Sequence, residues 1–288
     1  MNVRAALLVV LVSTAGQAQS PSEPVVRITE QARSVQPGEL IVLTLVTAKP
    51  TESVRARAFG QDLRPFRVDE RTWRVLVGID LNVKVGVHAV TILPSAAKGD
   101  AVTHNLVVKP KAFPTRRLTV DEAFVNPPPA VTKRIDDEAA RLSAIWDSSA
   151  PERLWTDSFV RPVPQPANSR FGSRSVLNGQ ARSPHGGADF ASPTGTPIKA
   201  PNAGKVVLAE DLYYTGGTVV IDHGLGLVSL FAHMSQVDVR EGQMVERGAV
   251  VGLVGATGRV TGAHLHWTLR ANGARVDPLS LLAVLGPS

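Results

Sequence analysis

The sequence predicts a mostly β protein, with two β-rich domains joined by a connector that carries one helix. Short segments rich in valine and isoleucine, bounded by proline, glycine and aspartate, recur in both halves of the chain. Apolar residues recur at helical spacing near the middle of the chain. The 288 residues, of which 43% are apolar and 19% charged, are enough for two globular domains with buried cores.

Residues 1–18 are predicted to form a secretory signal. Arg4 supplies the positive charge, Ala5 to Val12 form an apolar run, and Gly16-Gln17-Ala18 offers small residues at a cleavage site. The run is shorter than the roughly 20 residues that a bilayer requires. We therefore expect an exported chain that begins near Gln19 and has no stable membrane insertion. An uncleaved anchor is the alternative.

Residues 19–110 are predicted to form an immunoglobulin-like β-sandwich, because short strands alternate with turn residues. The expected strands are Val25–Thr29, Leu40–Val46, Ser53–Phe59, Thr72–Ile79, Gly86–Leu93 and Thr103–Val108. His88 and His104 lie in these strands with no second metal ligand nearby, so a structural or exposed position is expected for both.

Residues 111–160 are predicted to form the connector. Pro127, Pro128 and Pro129 make its first part stiff and extended. After them, apolar residues at helical spacing predict one amphipathic helix from about Ala130 to Trp146, which must pack on one of the two domains. A plain strap is one interpretation of the connector. The other is a cover over a functional groove, which would make the protein latent.

Residues 161–288 are predicted to form an antiparallel β domain, since valine-rich segments alternate with glycine turns and no βαβ period is present. The expected strands are Gly204–Ala209, Gly217–Asp222, Gly226–Phe231, Ala249–Val254 and His264–Leu269.

The stretch from His185 to His266 contains five of the seven histidines and holds the candidate chemistry of the chain. Its motifs are His185-Gly186-Gly187-Ala188-Asp189, Phe231-Ala232-His233 and His264-Leu265-His266. Two imidazoles and a carboxylate can hold a zinc ion and leave a fourth position open, which distinguishes a catalytic zinc from a structural one. Two further histidines would remain to handle protons.

Residues two apart in a strand share one face. His264 and His266 are therefore expected to point into one groove, with Leu265 and Trp267 directed toward a core. Glycines separate His185 from Asp189, which predicts a loop that leads into a strand starting near Asp189.

Together, these motifs resemble those of the lysostaphin-type, or LytM-like, zinc endopeptidases, which cut peptide cross-bridges of bacterial cell walls. The resemblance covers roughly Asn168 to Pro278. Its motifs are Ser169-Arg170-Phe171-Gly172-Ser173-Arg174, the three histidine motifs, Thr196-Pro197-Ile198-Lys199-Ala200, Ile221-Asp222-His223-Gly224 and Thr257-Gly258.

This resemblance implies a LytM-like peptidase domain with one Zn²⁺ per chain, bound by His185, Asp189 and His266. It also implies that His233 and His264 are an unliganded catalytic pair. Phe231 departs from the family, which often has tyrosine at that position, so any role of a phenol hydroxyl is in doubt.

Two further residues are candidates for binding substrate. Arg174 precedes the first histidine motif and is able to bind a substrate carboxylate, although a structural ion pair explains it equally well. His223 is a candidate for the lining of the groove, with a loop or supporting position as the alternative.

The expected partner is peptidoglycan peptide, in the periplasm or outside the cell, and a monomer is favoured. The net charge of +6 comes without a basic run, so nucleic-acid binding is not expected. With no cysteine, the chain has no disulfide or lipid-modified cysteine.

The competing functions are a non-catalytic regulator of other wall hydrolases and a zinc protease of ordinary proteins.

Overall fold

The protein is mostly β, as predicted. The structure is a computed structural model that describes residues 25–95, 101–156, 158–168 and 171–287. Within these ranges it has twenty strands and two α-helices. The predicted secretory signal, and Ser169 and Arg170 of the resemblance motif, lie outside the described residues. No helix in the described part of the chain has both the length and the apolar character needed to cross a membrane.

Two four-stranded antiparallel sheets form the N-terminal part. Their strands are β1 (Val26–Ala32), β2 (Leu40–Thr47), β3 (Val54–Ala58), β4 (Gln61–Leu63), β5 (Phe66–Arg67), β6 (Thr72–Gly78), β7 (Gly86–Pro94) and β8 (Val102–Val108). One sheet has the order β1-β2-β6-β5 and the other β4-β3-β7-β8. The short strands β4 and β5 are not apparent from the sequence, because two or three residues carry no readable alternation.

The two N-terminal sheets share one apolar core. Val75 and Val77 of the first sheet are fully buried, and they belong to the same cluster as Val90 and Ile92 of the second. On the outer side of the first sheet, Leu40 belongs instead to the core of the C-terminal part. The strand β2 is therefore buried on both faces, which explains why its sequence shows only partial alternation.

The connector contains a strand and the predicted helix. Strand β9 (Thr115–Leu118) precedes a 3-10 turn at Glu122–Phe124, and helix α1 spans Pro129–Asp147. Leu142, Ile145 and Trp146 of α1 pack on the C-terminal sheet. The sequence did not predict which of the two domains this helix packs on. In the structure, it packs on the C-terminal part of the chain.

A nine-stranded sheet dominates the C-terminal part. Its strands, with those of a small neighbouring sheet, are β10 (Arg174–Leu177), β11 (Gln180–Arg182), β12 (Gly187–Phe190), β13 (Pro197–Lys199), β14 (Gly204–Leu212), β15 (Gly216–Asp222), β16 (Leu227–Val237), β17 (Met244–Val245), β18 (Val250–Val254), β19 (Leu265–Ala271) and β20 (Ala274–Val276). The helix α2 (Pro278–Leu285) follows, and the sequence analysis did not predict it. Seven of its eight residues are leucine, valine, alanine or proline, so it lacks a helical alternation of polar and apolar residues.

The two parts of the chain are in extensive contact. Leu40 and Leu76 pack in the C-terminal core, and Arg275 forms a bidentate ion pair with Asp80. Phe159 is also fully buried in that core, although it lies in the segment assigned to the connector. The C-terminal part therefore uses residues on the N-terminal side of position 161 for its packing.

Candidate active site

Strand register brings the predicted ligands together. Strand β12 pairs antiparallel with β19, and Asp189 lies directly opposite His266. Strand β19 also pairs with β16, where Ala232 lies opposite His266 and precedes His233. Residues that are opposite each other in a ladder point to the same face. The strands β12 and β19 therefore present Asp189 and His266 on one face of the sheet, and the ring of His233 lies beside that of His266, with 5.9 Å between the centroids.

The alternation predicted around His264 and His266 is present. Leu265 and Trp267 are fully buried, while His264 and His266 line a cleft. Phe231 is also buried and stacks on Trp267 with a centroid distance of 6.2 Å. The position at which the family often has tyrosine therefore lies in the core here, and it is not part of the cleft lining.

His185, Asp189 and His266 converge on a single point. His185 Nε2 lies 3.0 Å from Asp189 Oδ1, and His266 Nδ1 lies 2.8 Å from the same oxygen. The two imidazole nitrogens are 3.1 Å apart. A tetrahedral zinc ion with ligand distances of about 2.0–2.1 Å has corners about 3.3 Å apart. The three donor atoms thus have nearly the spacing of three zinc ligands, and the residues fit this metal.

A hydrogen bond and a glycine hold the proposed metal-binding residues in position. His266 Nε2 lies 2.9 Å from Thr268 Oγ1, so its N–H donates there and Nδ1 keeps the lone pair that a metal requires. Gly187 allows the two strands to approach, because a Cβ atom at this position would lie 2.4 Å from the carbonyl oxygen of Trp267. The backbone of β12 therefore needs glycine two residues before Asp189.

The protonation states in this cluster suit metal binding. Burial raises the pKa of Asp189, but the imidazoles of His185 and His266, which contact its carboxylate, outweigh burial and hold the pKa well below its ordinary value. Burial lowers the pKa of His266, against the effect of Asp189. A carboxylate and neutral imidazoles are the forms that bind zinc.

His233 and His264 lie beside the ligands, and within the described part of the chain neither Nε2 atom accepts a hydrogen bond. His233 Nδ1 lies 2.9 Å from the carbonyl oxygen of Thr257, and His264 Nδ1 lies 2.9 Å from that of Gly262. A carbonyl only accepts, so both imidazoles donate from Nδ1 and carry the lone pair on Nε2. The two rings are 4.8 Å apart between centroids.

The backbone at His233 is strained. Its φ is +66°, in the left-handed region that non-glycine residues rarely occupy. Its N–H donates to the carbonyl of Thr215 at 2.7 Å, next to an irregularity in the pairing of β15 with β16. Such strain costs on the order of 1–3 kcal/mol and is concentrated at functional sites. Burial, followed by the nearby His266 and His264, lowers the pKa of His233 to about 3, so its imidazole is neutral near pH 7.

These histidines face a cleft of about 560 Å³. The connector forms one wall of it, through Arg116, Leu118, Val120 and Val125. Strand β9 reaches this position by pairing in parallel with β10. Tyr214 and Arg259 also line the cleft. The cleft residues Arg116, Arg182 and Arg259 were not predicted, because no sequence motif links arginines so far apart in the chain.

The two candidate substrate residues are not in the cleft lining. His223 is fully buried, where its Nδ1–H donates to the carbonyl of Ala203 and its Nε2 lies 3.0 Å from Ser229 Oγ. Trp267 also donates to Ser229, so His223 belongs to a buried network. Arg174 is exposed on β10, on the opposite side of the strand from Ser175, which lines the cleft.

The fold and the cluster of two histidines and one carboxylate define a metallopeptidase. A family model described as peptidase family M23 matches residues 183–278, which include all five predicted metal-binding and catalytic residues. A crystal structure from Pseudomonas aeruginosa, assigned to the M23 peptidases, is 35% identical and superposes with a TM-score of 0.70, over 88% of this chain and 97% of that one. The chain belongs to peptidase family M23.

Two curated relatives are similar in the same region. Peptidoglycan DD-endopeptidase ShyA of Vibrio cholerae is 45% identical over 96 residues, which are 33% of this chain and 22% of that protein. The DD-carboxypeptidase/endopeptidase Mpg of Neisseria meningitidis is 42% identical over 97 residues, which are 34% of this chain and 22% of that protein. The chain thus matches about a fifth of the length of each of these relatives.

Proposed function

We propose that the protein is an exported zinc-dependent endopeptidase that hydrolyses peptide cross-links of bacterial peptidoglycan with a metal-activated water. The observation that carries this proposal is the convergence of His185, Asp189 and His266 within 3.1 Å of one another beside two further imidazoles. The names of ShyA and Mpg support the substrate class. The predicted secretory signal supports export, since this substrate lies outside the cytoplasmic membrane.

Three side chains would hold the metal: His185 through Nε2, His266 through Nδ1 and Asp189 through Oδ1. When bound, zinc lowers the pKa of a water molecule to about 7 and polarises the peptide carbonyl. The negative charge of Asp189 reduces the net charge of the centre.

His233 and His264 would handle the protons. Each has its Nδ1–H bonded to a backbone carbonyl, so each directs an Nε2 lone pair to the space beside the ligands. Either imidazole is able to accept a proton from the attacking water and later to deliver one to the departing nitrogen. A positioned proton-transfer group of this kind contributes typically 10²–10⁴-fold to the rate.

The two histidines differ in how firmly they are held. His233 is nearly buried and strained, whereas the side chain of His264 is 22% exposed. His264 Nε2 lies 3.8 Å from Asp189 Oδ1, at the side of the metal site nearer to solvent. Both imidazoles are therefore within reach of a peptide bond that enters the cleft.

Purified full-length protein, incubated with bacterial sacculi and with casein, tests the proposal. We expect zinc-dependent release of soluble peptides from sacculi, loss of that release with a chelator, and little cleavage of casein. Mass spectrometry of the released peptides identifies the bond that is cut. Comparable zinc-dependent cleavage of casein would instead indicate a protease of ordinary proteins.

The second candidate is a non-catalytic regulator of other wall hydrolases. All five metal-binding and catalytic positions are occupied by residues able to perform their roles, which favours the enzyme. A zinc-loaded protein that releases nothing from sacculi, yet stimulates a second hydrolase, would support the regulator.

A further inference from the structure

The cleft contains arginines that the proposed hydrolysis does not use. Arg182, at the end of β11, and Arg259, in the loop before β19, both line it together with the histidines. Within the described ranges, neither guanidinium forms an ion pair with a carboxylate. Arg182 donates to the carbonyl of Val125 and to Gln180, and Arg259 packs on the ring of Tyr214.

Arg259 is held in a fixed position relative to the catalytic histidines. Its backbone N–H donates to the carbonyl of Tyr214 at 2.9 Å, and its guanidinium carbon lies 4.6 Å from the centre of that ring. Thr257, two residues earlier, accepts the Nδ1–H of His233 through its carbonyl. A planar guanidinium that is stacked on an aromatic ring keeps its N–H groups free at the edge, where they are able to bind an oxyanion.

Within the described ranges, no acidic side chain pairs with the positive charge of Arg259. Burial, together with the positive charge of Arg182, lowers the pKa of Arg259 below its ordinary value. By contrast, Arg275 has a bidentate partner in Asp80, which raises its pKa. A half-buried cation with a like charge nearby and no paired acid is stabilised when an anion binds beside it.

Glu122, an acid whose pKa reflects the charge of Arg182, already has hydrogen-bond partners. Arg182 contributes to the lowered pKa of Glu122, but the two carboxylate oxygens of Glu122 accept hydrogen bonds from Asn126 and Asn178. Arg116, on the same wall as Arg182, faces Asp189. Arg259 is therefore the cleft arginine whose guanidinium remains available to a ligand.

We propose that Arg259, supported by the charge of Arg182, binds a free carboxylate of the peptide substrate and makes the enzyme selective for acidic peptides. This inference rests on the proposed peptidase function. It assigns to Arg259 the role that the sequence suggested for Arg174. The contact would form in the cleft, so it would position the peptide with respect to the metal centre and the two histidines.

Two forms of one substrate test the inference. Cross-linked peptide dimers released from bacterial walls are used either with their carboxylates free or after conversion of these groups to methylamides. Zinc-loaded full-length protein is compared with R259Q, R259K, R182Q and R174Q, and kcat and KM are measured for both substrates. R240Q is the matched control, since Arg240 is exposed between β16 and β17 and does not line the cleft.

We expect the wild-type protein and R240Q to prefer the free carboxylates by about tenfold or more in kcat/KM. R259Q should lose this preference through a higher KM for the dimer with free carboxylates, and thermal unfolding checks that the variant is folded. R259K should retain part of the preference, and R182Q should weaken it.

Equal hydrolysis of both dimers by the wild-type protein would overturn the inference and leave the proposed peptidase function intact. A preference that survives in R259Q, or that is lost in R174Q instead, would also overturn it. Hydrolysis of neither dimer would contradict the proposed function itself, and the inference with it.

Discussion

A guanidinium nitrogen of Arg116 lies 3.6 Å from Oδ2 of Asp189, the carboxylate that we assign to zinc. Arg116 belongs to the connector, whose strand β9 forms a wall of the cleft. The connector thus contributes a positive charge next to a site for a divalent cation. If the connector holds the protein in a latent form, as one hypothesis states, the repulsion between Arg116 and the metal ion is a physical way in which it would do so.

Replacing Arg116 with alanine should tighten zinc binding. The guanidinium repels the ion, and removing one charge at this distance is worth on the order of 1 kcal/mol, or about fivefold to tenfold in affinity. Competition with a chromogenic chelator measures the change, and R116K serves as the control that keeps the charge. If R116A binds zinc more weakly, then Arg116 orients Asp189 and the repulsion argument is wrong.

His185→Ala and Asp189→Ala should lose both zinc and activity. Each change removes one of three donor atoms and leaves too few ligands for a catalytic zinc site. Metal analysis of the purified variants, together with peptide release from sacculi, checks this. Stoichiometric zinc in either variant would mean that other residues hold the metal.

His233→Ala and His264→Ala should keep zinc but lose about 10²–10⁴-fold in kcat. Neither imidazole is among the three converging donors, so the metal content should remain at one ion per chain. Alanine keeps a Cβ at this positive φ, so H233A does not relieve the backbone strain, and thermal unfolding checks that the variant is folded. Full activity of H233A would remove its proton role.

Thr268→Val should weaken zinc binding about tenfold or more, with little change in the fold. The hydroxyl accepts the Nε2–H of His266 and so holds Nδ1 toward the metal. Loss of such an outer contact typically costs 10–100-fold in metal affinity, and valine has nearly the shape of threonine. Chelator competition again gives the affinity, with T268S as the variant that restores the hydroxyl.

His223 should make the stability of the metal-free protein fall with decreasing pH. Burial, opposed by the hydrogen bond to Ala203 and the charge of Asp222, lowers its pKa from 6.5 to about 4. The unfolded chain gains a proton near pH 6.5, whereas the folded chain resists it until about pH 4. The stability from neutral His223 is therefore fully present above pH 6.5 and is lost as the pH falls toward 4.

Urea unfolding at several pH values, with chelator present, measures this effect. The free energy of unfolding should fall by up to about 1.4 kcal/mol per pH unit from this one group between pH 6.5 and 4. His223→Gln should be less stable at pH 7 but show a shallower slope. His233 titrates in the same direction and remains in the variant, so some slope should persist. An unchanged slope would contradict the assignment.

Much of the fold could be predicted from local patterns. The long strands and the helix α1 were visible because valine-rich alternation and helical spacing are local properties of the sequence. The short strands β4, β5, β9, β10, β11, β13, β17 and β20, each of two to four residues, were not predicted, and neither was α2, which is almost uniformly apolar. For the site, the alternation at His264 and His266 already required that both face one side of a strand.

The sequence by itself determined which groups this protein has available: a β-rich chain, the candidate metal-binding and catalytic residue types, and their expected placement on strands and loops. Only the tertiary structure decided which distant groups meet. It buried His223 in a hydrogen-bonded network, left Arg174 outside the cleft, and brought Arg116 and Arg259 into the lining of one cleft. The physical reason is that strand register and packing fix these positions, and contacts between residues far apart in the chain leave no local pattern.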